Sequence, residues 1–125
     1  MARGKSVLFP RIMLEPGIKK TTVYLMSKVK HIILLKFKDG TSEEQITKLF
    51  DDLLDLTESV SGIEDYVSGA NNSTEGLNEG LTHGAIITFT DAAARDAYLT
   101  HADHETFKAG AFPLVEKATV FDFEV

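Results

Sequence analysis

The chain has 125 residues, the size of one domain able to bury roughly two thirds of the surface its unfolded form exposes. Its 43% hydrophobic and 26% charged residues are those of an ordinary globular protein, and no run approaches the ~18 uninterrupted apolar residues of a membrane span, so no membrane partner is expected. The absence of cysteine excludes disulfides, thiolate nucleophiles and Cys-held zinc or iron–sulfur groups and fits a reducing, cytoplasmic setting, while a net charge of −6 argues against nucleic acid as a partner, because phosphate contacts need a basic face.

The first 25 residues stand apart. Arg3, Lys5, Arg11, Lys19 and Lys20 face Glu15 alone, a balance of +4 that leaves −10 for the rest of a chain whose net charge is −6. The segment has two prolines and no useful helical or strand period, and a second methionine, Met26, precedes the patterned region. We therefore expect a basic, flexible N-terminal extension over 1–25 and a domain over 26–125. Organellar targeting is the functional reading of such a segment, although targeting peptides are usually richer in Ser and Arg. A disordered arm or an upstream-start extension is the plainer one, with Thr21 to Leu25 as a short edge strand.

Val29 to Phe37 (VKHIILLKF) reads as a central strand, with Val29, His31, Ile33, Leu35 and Phe37 on one face and Lys30, Ile32, Leu34 and Lys36 on the other. Lys38-Asp39-Gly40 turns the chain. Thr41 and Ser42 then offer helix N-caps, each with a capping-box partner three residues on, in Glu44 and Gln45. The helix carries Ile46, Leu49, Phe50, Leu53, Leu54 and Thr57 on one side, mostly opposite Asp51, Asp52, Asp55 and Glu58, and Gly62 closes it. Ile63 to Gly69 is a second strand, and 70–80 a polar, exposed loop rich in Gly and Asn. Leu81 to Thr90 (LTHGAIITFT) is a third strand with Leu81, His83, Ala85, Ile87 and Phe89 on one face. Asp91 caps a second helix, DAAARDAYL, that leads through THADHETF into a further helical turn before Pro113, and Ala118 to Val125 is the last strand.

The order β-α-β-β-α-β belongs to the α+β class in its ferredoxin-like form: a four-stranded antiparallel sheet with helices on one face. A first strand apolar on both sides cannot leave either side in water, since each exposed Ile, Leu or Phe forfeits about 1.5–3 kcal/mol. The simplest cover for the helix-free face is a second copy of the same sheet, so a homodimer is expected.

Four segments, VKHIILLKFKDG, GLTHGAIITF, YLTHADHETF and VFDFE, stand in the order and spacing of the stress-responsive dimeric α/β-barrel (Dabb) family, which the chain resembles over residues 28–125. The resemblance implies the βαββαβ fold, a homodimer and a dimeric α/β barrel. Two positions depart from the family pattern. Leu81 stands where the family often has Tyr, removing a phenol from any pocket, and His101-Ala102-Asp103-His104 replaces His-Pro-x-His, loosening the backbone there.

All four histidines, His31, His83, His101 and His104, fall inside those segments. If the strand faces bearing His31 and His83 meet the helices, they line the space into which Tyr98, His101 and His104 project. A neutral imidazole both donates and accepts, and its ordinary pKa near ~6.5 suits proton transfer. A satisfied core histidine is the plainer reading for His31 and His83. His-x-x-His places two ligands one helical turn apart, but no carboxylate clearly faces them, so no metal is expected, and no cofactor.

The resemblance implies a more specific chemistry. The family includes a plant polyketide cyclase that closes a linear poly-β-keto thioester into an aromatic acid by an intramolecular aldol step. Its catalytic tyrosine and histidine correspond to Tyr98 and His104, its further pocket histidines to His31, His83 and His101, and its last-strand carboxylate to Asp122. On that reading His104 is the general base, Tyr98 hydrogen-bonds the developing oxyanion and Asp122 orients the imidazole. Alternation alone does not say which face of the last strand meets the pocket. Three functions stay open: a non-catalytic stress-associated homodimer holding a small hydrophobic or aromatic ligand, a cofactor-free cyclase, lyase or isomerase using Tyr98 and His104, and a related oxygenase or haem-handling protein, which nothing resembling a flavin or haem site favours.

Overall fold

The sheet grows outward from its first strand. In the computed structural model, which describes residues 27–125, β1 spans Val29–Phe37 and hydrogen-bonds on both sides, antiparallel to β3 (His83–Phe89) and to β4 (Val115–Glu124). β2 (Ile63–Ala70) pairs with the far side of β3, giving the order β2-β3-β1-β4. The expected N-terminal extension, its targeting reading and its edge strand lie outside the described residues.

Helix α1 (Glu43–Ser59) starts where its capping box places it. The Ser42 hydroxyl accepts from the Gln45 amide at 3.1 Å, and the Gln45 side chain accepts from the Ser42 amide at 2.9 Å. Thr41, the other candidate cap, instead donates its hydroxyl to the Lys38 carbonyl. Leu49, Leu53, Leu56 and Thr57 bury one stripe of α1 against the sheet. Gly62 then turns the chain at φ +88°. A Cβ there would lie 2.7 Å from the Ala94 side chain, so glycine serves both the turn and the approach of the next helix.

After β3, Asp91 caps α2 (Ala92–Leu99), its carboxylate accepting from the Ala94 amide. The expected further turn is a full ten-residue helix, α3 (Ala102–Ala111), in which Ala102 takes the first helical position. A 3₁₀ turn over Phe112–Leu114, with Pro113 inside it, delivers the chain into β4 three residues before the sequence pattern suggests.

The core lies between helices and sheet. Val29, Ile87 and Phe89 from the sheet meet Leu53 and Leu56 of α1 and Tyr98 of α2, while a second cluster joins Leu35, Phe37, Leu49 and Ala111. On the helix-free face the register aligns Phe121, Ile32, Ile86 and Val67 in one row across all four strands, and Phe123, Lys30, Thr88 and Asp65 in the next.

One expectation is overturned: the sheet is not closed into an α/β barrel. Closure requires the two edge strands to meet, and here β3 and β1 separate β2 from β4, leaving an open sheet whose edges are those two strands. The ferredoxin-like βαββαβ order and the one-sided helix layer are present, but the architecture is an open two-layer α+β fold.

Candidate functional site

β1 and β4 settle the facing of Asp122. His31 and Asp122 are direct cross-strand partners, so both point to the helix side, and His31 Nδ1 lies 2.7 Å from Asp122 Oδ1. An ionised carboxylate accepts only, so the imidazole donates through Nδ1–H. His31 is buried, and its ring sits edge-on to Phe89 and Tyr98 at 5.9 and 6.1 Å between centroids. A polar ring in such surroundings is tolerable because its donor is matched, a charge-assisted bond contributing about 1.5–3 kcal/mol.

Asp122 has a second partner that the sequence pattern did not single out. Arg95, on α2, donates from its terminal guanidinium nitrogen to Asp122 Oδ2 at 2.7 Å and from Nε to Asp96 Oδ1 at 2.7 Å. Hydrogen bonds to Asp122 first and Asp96 second push the guanidinium further above its ordinary value and keep it cationic. The only advance signal was helical spacing: Arg95 lies three residues before Tyr98, which puts both on neighbouring positions of one helix face.

Tyr98 and His104 come together across the α2–α3 junction, their ring centroids 4.5 Å apart and the planes tilted by 48°. Tyr98 is only 1% exposed. Burial first, and the neighbouring Tyr66 second, push its phenol well above the ordinary tyrosine range, so the hydroxyl is neutral at any physiological pH. His104 is half-buried and places Nδ1 3.2 Å from the Leu99 carbonyl, which can only accept. Nδ1 therefore carries the proton and Nε2 keeps its lone pair. Burial is the largest influence on His104 and lowers its pKa from the ordinary 6.5, against an opposing pull from that carbonyl.

The other two histidines stand elsewhere. His83 packs on Phe37 and Phe50 at 5.4 and 5.7 Å and lies 2.9 Å from the Thr82 hydroxyl, beside the second core cluster. His101 is the N-cap of α3, its Nδ1 accepting from the Asp103 amide at 3.0 Å, which occupies one of the two nitrogens a His-x-x-His metal site would use. The structure thus unites His31, Asp122, Tyr98 and His104, adds Arg95, and leaves His83 and His101 apart. Among the described residues no group of three or more His, Cys, Asp or Glu is placed to hold a metal ion.

A hollow of ≈ 510 Å³ lies over the helix-free face, where it is lined by Ile32, Leu34, Val67 and Ile86 of the sheet together with Leu77 and Leu81. Two smaller hollows lie between α1 and α3 and are lined by none of His31, Tyr98 and His104. Ala118 and Val120, on the same face of β4 as Asp122, are exposed, Val120 by 55%. No described helix is long and apolar enough to cross a membrane.

Comparison with known proteins matches residues 29–125 to the stress responsive A/B barrel domain. The stress-response A/B barrel domain-containing protein HS1 of Arabidopsis thaliana is 31% identical over 96 residues, 77% of this chain and 88% of that protein. Olivetolic acid cyclase of Cannabis sativa is 30% identical over 95 residues, 76% of this chain and 94% of the cyclase. A solved structure from Jannaschia sp., a dimeric ferredoxin-like protein of unknown function, superposes with a TM-score of 0.70 at 25% identity, over 78% of this chain and 99% of that one.

Proposed function

The chain belongs to the stress-responsive A/B barrel domain family, and from that premise we propose that it works as a homodimer joined through the helix-free face of its sheet, with a small hydrophobic or aromatic molecule bound at the margin of the Tyr98–His104 stack. One observation carries the homodimer. On a face that no helix covers, Leu34, Val67, Phe121 and Phe123 are exposed by 36, 53, 64 and 45%, and with Ile32 and Ile86 they form a continuous apolar strip across four strands. A two-fold axis lets one such strip cover another, since a surface of this kind is complementary to itself. The likeness to a dimeric ferredoxin-like protein supports the same assembly.

The ligand reading rests on the other face. His31 held by Asp122, His104 held by the Leu99 carbonyl, and the neutral Tyr98 hydroxyl offer directed polar groups, and Ala118 and Val120, on the face of β4 that carries Asp122, are exposed. A thermal-shift screen with aromatic acids and β-diketones, repeated on His104→Ala, tests it. The proposal expects stabilisation of the wild type that the variant loses. Equal shifts in both proteins, or none in either, would remove this site.

A second reading, cofactor-free proton transfer of the cyclase or lyase kind, is favoured by one feature: the lowered pKa and free Nε2 of His104 leave it an unprotonated base at neutral pH, with a phenol donor stacked against it. The relationship to olivetolic acid cyclase points the same way. Deuterium uptake at the central carbon of a β-diketone, followed by NMR, measures that step directly. Catalysed exchange that falls at least about a hundredfold in His104→Ala would establish the base, and exchange at the buffer rate would leave binding alone.

A further inference from the structure

Arg95 is the one member of the polar array around the buried His31 that neither the strand pattern nor the histidine motifs explain. It is on α2, one helical turn before Tyr98, yet its guanidinium reaches across to β4 and takes Asp122 Oδ2. Asp122 is a cross-strand neighbour of His31 on an edge strand whose inner face is otherwise open to water at Ala118 and Val120. A carboxylate in that position has two choices: to stay on the buried imidazole or to swing out to solvent. Arg95 removes the second choice. With Oδ2 held at 2.7 Å, only Oδ1 is left to face inward, and it meets His31 Nδ1 at 2.7 Å. Asp96 holds the guanidinium from the other side through Nε, so the arginine is itself fixed.

We propose that Arg95 is a positioning residue that acts through Asp122 to fix the tautomer and orientation of His31, with the proton on Nδ1 and Nε2 left unprotonated. The chain of contacts runs from the solvent-facing Asp96 through Arg95 and Asp122 to a ring that is 4% exposed. Lysine at this position could supply the charge but not donors on two separate nitrogens held in a rigid planar fork, which is how Arg95 spans Asp122 and Asp96. A structural role alone, tying α2 to β4, would stabilise the fold without setting which His31 nitrogen carries the proton. The two roles are therefore separable. The inference rests on the ligand reading only for its use; the geometry stands without it.

The test is ring-nitrogen NMR on the full chain at about pH 8, above the ordinary histidine pKa of about 6.5, comparing wild type, Arg95→Lys and Arg95→Leu. The wild type should show His31 as a single Nδ1–H tautomer with a slowly exchanging ring proton. Arg95→Leu should mix the tautomers and speed exchange of that proton by on the order of tenfold, as expected for loss of one charge-assisted bond, with Arg95→Lys in between. The resonances of His83 and His101, which lie in other packing environments, report whether the fold is intact. A His31 spectrum unchanged in Arg95→Leu, with the fold intact, would overturn the proposal. If Arg95→Leu does not fold, Arg95→Gln carries the same comparison, since it keeps the stem and removes the fork. Wild-type ligand shifts are read separately: their absence would remove the ligand reading and leave the Arg95 assignment standing.

Discussion

The two faces of one sheet differ by a single residue of register and by almost everything else. On β1, His31 and Leu35 are buried under helices, while their neighbours Ile32 and Leu34 look out on the helix-free side. On β4 the same alternation sends Asp122 inward to an imidazole and an arginine and sends Phe121 and Phe123 outward, their rings 6.3 Å apart. On the covered face His31, Leu35 and Asp122 find partners within the chain. Side chains on the open face form an apolar strip that no described helix covers, with Leu77 and Leu81 of the 71–81 segment over one part of it. The period of two in a strand thus lets nine consecutive residues serve a polar cluster and an open apolar face at once.

The sharpest contrast comes from aromatic truncation. Phe89→Ala, on the covered face, removes a ring that is 0% exposed and touches both His31 and Tyr98, and should cost about 3–5 kcal/mol in urea denaturation. Phe121→Asp, on the open face, should leave the monomer's fold intact and weaken self-association by on the order of a hundredfold in sedimentation equilibrium. If both changes reduced only fold stability, the division between the faces would fail.

Asp122→Ala comes next. It strands the His31 Nδ1 donor and one end of Arg95 and should cost about 1–3 kcal/mol, more than the few tenths expected for Thr119→Ala, an outward neighbour on the same strand. Ser42→Ala, remote from both faces, removes the α1 cap and should cost about 1 kcal/mol.

The smallest effect is on pH. The His104 pKa is lowered from 6.5 by burial, so the unfolded chain binds its proton more readily than the native one. Its contribution to stability is present above about 6.5 and is lost as pH falls from there through the lower native value. Thermal melts between pH 8 and 5 should show a steeper decline in the wild type than in His104→Gln, and parallel curves would contradict the assignment.

Much of this was legible in the sequence, and the reasons are local. Ser42 with Gln45, Asp91 before an alanine run, and the alternation of VKHIILLKF each carry their own physical signature, and each forms the element it suggests. The third strand proved shorter than its pattern, because Leu81 and Thr82 bond to Asn78 and Leu35 as an approach to the strand rather than within its ladder. α3 is a full helix where the sequence suggests a further turn, and its start is unmarked because its N-cap is a histidine, a residue type that capping rules do not single out.

The sheet's openness and the facing of Asp122 depend on strand order and register, which are long-range. The Phe121 and Asp122 pair could have exchanged roles with a one-residue slip. Arg95 escaped notice for the same reason: a salt bridge from helix to edge strand, 27 residues apart in sequence, leaves no periodic trace.

The most direct test of the two-face account is molar mass by light scattering at micromolar concentration for wild type, Phe121→Asp and His104→Ala. The account predicts a dimer for the wild type and for His104→Ala, with a folded monomer for Phe121→Asp. A monomeric wild type, or a Phe121→Asp variant that remains fully dimeric, would contradict it.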